Sequence, residues 1–329
     1  MSFIIRRLVF YLVAAWVALT INFFIPRLMP GNPVEAIMAK FPGNLQPAAY
    51  KALEAMLGVG HPGSLWHQYT AYLVDILHLN FGTSVSEYPA QVSTLLGETL
   101  PWTIILVGTA TVIAFLIGTA LGIAAGWRHG GSLDRVMPGL MFLQAIPYFF
   151  FALILLELFA VRLHFFPIAQ GYSQGLVPGW HWAFISSALY HSLLPAITIV
   201  LASIAGWMLQ MRNVMITTVG EDYVVAAQAK GLPSRRVIFT YAARNAILPQ
   251  LQGFGLAVGF VVSGALIMEI VFSYPGIGLL LVNAVTSNDY PLMQAIFLVI
   301  TFAVLLANLI VDLIIVFVDP RARAREATR

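Results

Sequence analysis

Three acidic residues lie inside or at the ends of long apolar stretches: Glu157, Glu269 and Asp312. An ionisable side chain in the hydrocarbon core of a bilayer is costly, so each is a candidate functional group. Glu157 precedes Arg162 by five residues, which predicts an interfacial position for the acid. For Glu269, lining of a pathway and structural pairing fit equally well. For Asp312, a bond to a neighbouring helix together with Asn308 is favoured over substrate contact.

Residue types that catalyse reactions or bind metals lack the necessary spacing in this chain. It has no cysteine, so it can form neither a disulfide nor a thiolate metal site. None of its three lysines lies in a Gly-Lys-Ser/Thr phosphate loop, so ATP binding is not expected. Its seven histidines include no His-Glu-x-x-His, and no serine lies in a nucleophile elbow. We therefore expect no catalytic residue, cofactor or metal here.

The composition indicates a membrane protein. Of the 329 residues, 60% are hydrophobic and 9% charged, whereas soluble domains average roughly 45–50% and about 25%. A helix needs roughly 20 apolar residues to cross the bilayer core, and six stretches qualify. They are 8–26, 100–127, 136–156, 163–212 with its apolar core near 193–211, 246–268 and 291–311. Because the stretches are apolar on every face, the predicted fold class is an all-α integral membrane protein with six transmembrane helices.

Basic residues are divided unevenly among the connections between these stretches. Of 17 lysines and arginines, 13 lie before the first stretch, in the second and fourth connections, and in the tail. The remaining four are Arg27, Lys40, Lys51 and Arg162. Because cytoplasmic loops carry the excess of positive charge, both termini are predicted to be cytoplasmic, which agrees with an even number of crossings. No Ala-x-Ala-like site follows the first stretch, so an uncleaved helix is favoured over a signal peptide.

The predicted organisation has four parts. They are the N-terminus and first helix, 1–26; an extracytoplasmic segment, 27–99; a five-helix core, 100–318, with a cytoplasmic loop at 213–249; and a cytoplasmic tail, 319–329. Helical spacing of apolar residues predicts short amphipathic helices at 46–57 and 64–79 in the extracytoplasmic segment. A smaller outer loop is predicted at 162–182, and its aromatic residues favour an interfacial belt over a stacking site for substrate.

Small residues recur at intervals of four in two of the apolar stretches. Such rows let helix backbones approach closely. Packing within the chain is favoured over packing against a second membrane subunit or a moving gate. The rows are Ala114, Gly118, Gly122 and Gly126, and then Gly255, Gly259 and Ser263.

The most informative polar segment lies between the fourth and fifth apolar stretches. Glu221 and Asp222 are typical of a helix N-terminus, alanines follow, and Gly231 with Pro233 is typical of a helix end. A helix of one to three turns is therefore predicted, followed by a second, basic helix that returns to the membrane. Small alanine side chains let a partner's backbone approach closely. The segment is predicted to be a docking element.

This segment resembles a known family. Ala226-Ala227, followed by Gly231 and then Leu-Pro, is similar to the "EAA" coupling loop of ABC importer permeases, with Val225 at the position of the motif's glutamate. The longer pattern resembles the first-permease (B-type) subunit of the dipeptide/oligopeptide branch, which includes peptide and nickel transporters. Further similarities to that branch lie at 28–33, 81–84, 269–278, 289–292 and 319–323.

The resemblance implies a type I ABC importer transmembrane domain with a large outer insertion between helices 1 and 2. It also implies partners: a second homologous permease, one or two cytoplasmic ATPases that bind ATP and Mg, and an extracytoplasmic binding protein. The expected location is a bacterial or archaeal cytoplasmic membrane. The expected cargo is di- or oligopeptides, with oligosaccharides or nickel chelates as alternatives, and no nucleic acid is involved.

The resemblance also implies roles for particular residues. Those expected to couple to the ATPases are Glu221, Asp222, Tyr223, Ala226, Ala227, Lys230, Gly231, Arg235, Arg244 and Pro249. The family pattern places Glu269, Phe272, Pro275 and Gly276 at the outer mouth of the pathway, where they are candidates for a gate.

Two other classes of function are less compatible with the sequence. A secondary transporter that uses the acids as a proton relay usually shows internal repeats, and the two halves show no visible repeat. A membrane-bound signalling or assembly protein does not explain the polar loop with its helix-ending glycine.

The coupling-loop interpretation predicts the effect of substitutions in the loop. A bulky acidic residue at Gly231 or Ala227 is expected to abolish transport while the protein stays in the membrane, because it would block docking. Uptake assays together with immunoblots of the membrane fraction measure both properties. Normal import by such variants without any ATPase would contradict the interpretation.

Overall fold

The computed structural model describes residues 2–28, 64–261 and 266–318. Within these ranges the chain is helical apart from turns, loops and an isolated bridge between Thr83 and Gln91. π-helical turns at Leu156–Arg162 and Val237–Ala242 continue α5 and α8. The helices are α1 (Ser2–Leu28), α2 (Leu65–Leu77), α3 (Val92–Trp127), α4 (Ser132–Ala145), α5 (Tyr148–Leu155), α6 (Trp182–Val219), α7 (Asp222–Ala229), α8 (Ser234–Arg236), α9 (Ala243–Val261), α10 (Leu266–Val271), α11 (Ile277–Thr286) and α12 (Tyr290–Val318).

Four of the described helices are long and apolar enough to cross a bilayer: α1, α3, α6 and α12. They confirm the first, second, fourth and sixth predicted stretches. The apolar core predicted near 193–211 lies within α6, which begins at Trp182, and 163–181 forms a loop as predicted for 162–182. The third stretch falls on α4, α5 and the first π turn, and the fifth falls on α9 and α10. At these interrupted segments the count of six stays a prediction.

The chain divides into two compact units. The first contains residues 1–103 and 275–329, and the second contains residues 104–274, so that the boundary falls within α3.

In the first unit, α1 and α12 pack antiparallel. The Tyr11 hydroxyl donates to Asp312 Oδ2 at 2.7 Å, and Arg7 Nη1 lies 2.9 Å from the same oxygen. Further along, Asn22 Nδ2 donates to the Gln294 carbonyl and Gln294 Nε2 donates to the Asn22 carbonyl, both at 3.0 Å. Residue numbers fall along α12 as they rise along α1. The start of α1 and the end of α12 therefore lie at the same end of the pair.

The helix α2 confirms the amphipathic helix predicted at 64–79. Ser64 caps it by accepting a hydrogen bond from the His67 amide at 3.3 Å. Tyr69 shares a 2.8 Å hydrogen bond with the Thr20 hydroxyl, which fixes α2 against α1. The helix predicted at 46–57 lies outside the described residues.

Asp289 is fully buried and joins two distant parts of the first unit. Its Oδ2 accepts hydrogen bonds from the Ser84 hydroxyl and from the amide and hydroxyl of Ser86, the latter two at 2.8 Å. Its Oδ1 accepts from the Leu292 amide at 3.1 Å, which caps the first turn of α12. Because these donors satisfy the buried carboxylate, the turn that follows α2 is fixed to the start of α12.

In the second unit, the glycine row of α3 lies directly against α6. A Cβ built at Gly118 would lie 2.9 Å from the Ile204 carbonyl oxygen, and one at Gly122 would lie 2.7 Å from that of Met208. A Cβ at Gly126 would likewise lie 2.9 Å from the Arg212 carbonyl oxygen. The row therefore packs within the chain, as predicted. Since both sets of numbers rise together, α3 and α6 run parallel where they touch.

We expect Gly122→Leu to destabilise the fold strongly. The leucine would meet α6 backbone, which cannot yield as a flexible side chain does, so the cost should exceed the roughly 1–3 kcal/mol of ordinary overpacking. Thermal unfolding of the detergent-purified protein measures the effect. Gly97→Ala is the matched control on the same helix, because a Cβ there would have no neighbour within 4 Å. Equal stability of the two variants would contradict the packing described.

Candidate functional site

The helix α7 begins and ends as the sequence predicted. Glu221 occupies the N-cap position with extended backbone, and Asp222 lies in the first turn. At the other end Gly231 adopts a φ of +70°, its amide donates to the Gln228 carbonyl at 2.9 Å, and the Leu232 amide donates to the Ala227 carbonyl at 3.4 Å. These two bonds form a Schellman motif, in which glycine takes the left-handed position without steric cost.

One side of α7 is buried against the ends of α6 and α9. Val224 is 0% exposed and Ala227 is 3% exposed. Both belong to a hydrophobic cluster with Met211 and Met215 of α6. The rest of the cluster comes from the segment that returns to the membrane, and its buried members are Val237, Ala242, Ala243 and Ala246. The short helix is thus packed onto two longer helices at once.

The methionines of this cluster also fill the glycine row of α3. A Cβ at Gly122 would collide with Met211 Cβ, and one at Gly126 would collide with Met215 Cβ. Met211 and Met215 therefore lie between α3 and α7. These two methionines connect α7 to α6 and α3 through close packing.

The other side of α7 is open. Nine of the ten residues predicted to couple to the ATPases are exposed. They lie on α7, next to its ends or in the segment that returns to the membrane: Glu221, Asp222, Tyr223, Ala226, Lys230, Gly231, Arg235, Arg244 and Pro249. Ala227 is the exception, since it faces the methionines. A bulky acid at Ala227 would therefore disturb the fold itself, and the docking experiment belongs at Ala226 instead. Val225, at the glutamate position of the motif, is 49% exposed on the open side.

A buried amide fixes α9 to its neighbours one turn beyond the cluster. Gln250 is fully buried, and its Nε2 donates to the Trp207 carbonyl of α6 at 2.9 Å and to the Thr119 hydroxyl of α3 at 3.3 Å. Its Oε1 has no hydrogen-bond partner among the described residues. Three helices of the second unit, α3, α6 and α9, therefore meet at a polar junction close to α7.

The acidic residues have different surroundings. Glu157 pairs with Arg162 at 3.0 Å, with both side chains exposed. Asp312 bonds α1 through Arg7 and Tyr11, which favours the structural role, although Asn308 Oδ1 has no partner within the described ranges.

The candidate gate residues are mostly enclosed. Glu269 is 0% and Phe272 2% exposed, and the Phe272 carbonyl accepts from the Gln170 amide at 3.0 Å. In the first unit, Gly276 is buried at the start of α11 and Pro275 is half-buried. A gate role for these residues stays a prediction.

Reasoning from the sequence missed the residues that hold α7 in place. Val224 carried a weak signal, because its spacing of three from Ala227 places both on one face of a helix. Met211 and Met215 looked like ordinary membrane residues. The bond between Asp289 and Ser84 joins two of the segments that carried the resemblance, yet no local pattern indicated their contact. Among the described residues, no three His, Cys, Asp or Glu side chains form a group that could hold a metal.

The sequence matches a model of a known protein family. Residues 118–324 match the model of the binding-protein-dependent transport system inner membrane component. The chain belongs to this family. It is a multi-pass inner membrane permease component and not an enzyme, and no cofactor is expected of it.

The permease is similar to several proteins over nearly its full length. It is 30% identical over 322 aligned positions to the oligopeptide transport system permease protein AppB of Bacillus subtilis, which covers 97% of this chain and 98% of the relative. It is 33% identical over 341 positions to the di/tripeptide transport system permease protein DppB of Pseudomonas aeruginosa, with coverages of 98% and 99%. Identity to the dipeptide transport system permease protein DppB of Escherichia coli K12 is 31% over 348 positions, with coverages of 99% and 100%.

The packing of α7 predicts opposite results for neighbouring alanines. Ala227→Leu should lower the free energy of unfolding by about 1–3 kcal/mol, because the added atoms enter the filled methionine cluster. Ala226→Leu should leave stability nearly unchanged, because its side chain is exposed. Unfolding of the two purified variants in the same detergent measures the difference. A larger loss for Ala226→Leu would show that the buried face of α7 is misassigned.

Proposed function

We propose that this permease is one of two homologous membrane subunits of an ATP-driven ABC importer, and that α7 docks on a cytoplasmic ATPase. The observation that carries the proposal is the two-sided packing of α7. Val224 and Ala227 are buried against α6, while the opposite side is exposed. That exposed side consists of Asp222, Val225, Ala226 and Ala229. Its small side chains leave room for a partner surface.

The path from α7 into the membrane follows the contacts of the second unit. When an ATPase moves α7, Met211 and Met215 carry the movement to α6. The glycine row carries it on to α3 because the backbones are in contact. Val237 and Ala246 carry it to α9 in parallel. The permease contributes packing and geometry, while ATP and Mg bind to the ATPases.

The helix directions support the proposed topology of six crossings with cytoplasmic termini. α1 and α12 run antiparallel, so both termini leave from the same end, which the basic residues assign to the cytoplasm. α3 and α6 run parallel, so the chain at 128–181 has to return from one end to the other. That return supports a third crossing through α4, α5 and the π turn. In this topology 27–99 is extracytoplasmic and 213–249 cytoplasmic.

We propose di- or oligopeptides as the cargo, delivered by an extracytoplasmic binding protein. The support is the printed function of relatives that are 30–33% identical over nearly the whole chain. Oligosaccharides and nickel chelates are the alternatives. Uptake of labelled peptides, cello-oligosaccharides and nickel chelates by the assembled transporter, each with the cognate binding protein, decides among them.

We expect Ala226→Glu to abolish ATP-driven uptake while the permease remains folded. The carboxylate would lie on the exposed side of α7, where it would separate the helix from the ATPase without entering the methionine cluster. Copurification of the ATPase and peptide uptake in proteoliposomes measure the loss.

Ala226→Ser is the matched control, because it keeps the side chain small and uncharged. It should retain the ATPase and import peptide at the wild-type rate. Full ATPase binding and uptake by Ala226→Glu would rule out docking through this face.

A further inference from the structure

A polar sector runs along the otherwise apolar helix α6. Its members recur at intervals of three and four, which places them within about 80° of one another around the helix. They are Ser203, Gly206, Gln210, Asn213 and Thr217. Leu201 lies roughly 180° from Gln210 on the opposite side and is exposed at 41%. Farther along that opposite side, Ala205, Met208 and Met215 are buried within the chain. Near its end, α6 therefore keeps the polar sector exposed while the other side is packed.

The neighbouring helix α9 extends this polar sector. A Cβ at Gly253 would lie 3.4 Å from Gln210 Nε2, so the Gln210 amide rests over the bare backbone of Gly253. The adjacent Gln252 is exposed, whereas Gln250 is turned into the helix junction. The absence of a side chain at Gly253 thus brings the amide of Gln210 beside the exposed stretch of α9.

The surroundings of these amides cannot be lipid. Neither Gln210 nor Gln252 makes a side-chain hydrogen bond to the part of the chain that the structure describes, and both lie in stretches predicted to span the membrane. An amide left unpaired in hydrocarbon costs roughly 2–7 kcal/mol. Polar side chains at membrane depth accordingly face a water-filled cavity or a protein partner. Leu201, on the opposite side of α6, is an exposed apolar side chain and is suited to lipid.

We propose that Gln210 and Gln252 line part of the translocation path and hydrogen-bond the backbone of the peptide in passage. The proposal rests on the proposed function. A primary amide both donates and accepts, so it matches a peptide N–H or C=O whatever the peptide's side chains are. Because these side chains are uncharged, they bind weakly enough to release the peptide again.

The natural absence of cysteine makes a direct test available. Gln210→Cys and Gln252→Cys are each introduced into the permease, assembled with cysteine-free partner subunits in proteoliposomes, and exposed to a membrane-impermeant methanethiosulfonate reagent. Leu201→Cys is the control on the opposite side of α6. We expect both glutamine positions to react, Leu201→Cys not to react, and reaction to slow severalfold during peptide transport.

Two labelling results would overturn the proposal. Absence of reaction at both glutamine positions would place them in lipid or in a protein contact. Reaction at the same rate with and without transported peptide would place them in bulk water outside the path.

Substitutions at Gln210 and Gln252 test whether their hydrogen bonds to the peptide contribute to transport. The double variant Gln210→Leu with Gln252→Leu should lower the peptide uptake rate by about tenfold, which corresponds to about 1.4 kcal/mol. Leu201→Ala should stay near the wild-type rate. If the wild-type transporter imports peptide and the double variant imports it equally well, this inference fails alone. If the wild-type transporter imports no peptide, the proposed function fails.

Discussion

Backbone contact between α3 and α6 is the constraint on which the second unit depends. Because Gly118, Gly122 and Gly126 lack side chains, α6 lies against α3 with its methionines filling the row. Met211 and Met215 then form the surface on which α7 packs. The position of a short polar helix is therefore decided by glycines far earlier in the chain. Apolar helices gain no hydrophobic driving force from one another in lipid, so such close packing supplies their association.

The first unit relies on polar bonds instead. Asn22 with Gln294, and Asp312 with Arg7 and Tyr11, hold α1 and α12 at both ends and set their antiparallel direction. Each bond satisfies a group that would be costly if left unpaired in the bilayer. The two units are therefore stabilised by different kinds of interaction. Polar bonds make α1 and α12 a fixed pair, whereas the second unit is held by close packing of α3, α6 and α7.

Sequence features that act over only a few residues predicted the ends of helices well. Gly231 and Pro233 marked the end of α7, and Ser64 marked the start of α2, because caps depend only on the nearest backbone groups. A loop was predicted before α6 as well, at 162–182. Residues 163–181 are rich in apolar side chains, yet they form a loop held by bonds such as that from the Tyr190 hydroxyl to the Phe165 carbonyl at 2.6 Å. Hydropathy alone does not distinguish such a loop from a helix in lipid.

Composition, caps and motif spacing are local properties, so the amino-acid sequence was enough to predict a helical membrane protein with a short helix between its fourth and fifth apolar stretches. The tertiary structure alone decided which face of α7 is buried, why Ala227 and Ala226 differ, and which partners satisfy Asp289 and Asp312. A helix that is apolar on all sides carries no periodic signal for the direction of its neighbours. Contacts between residues hundreds of positions apart follow only from how the helices pack.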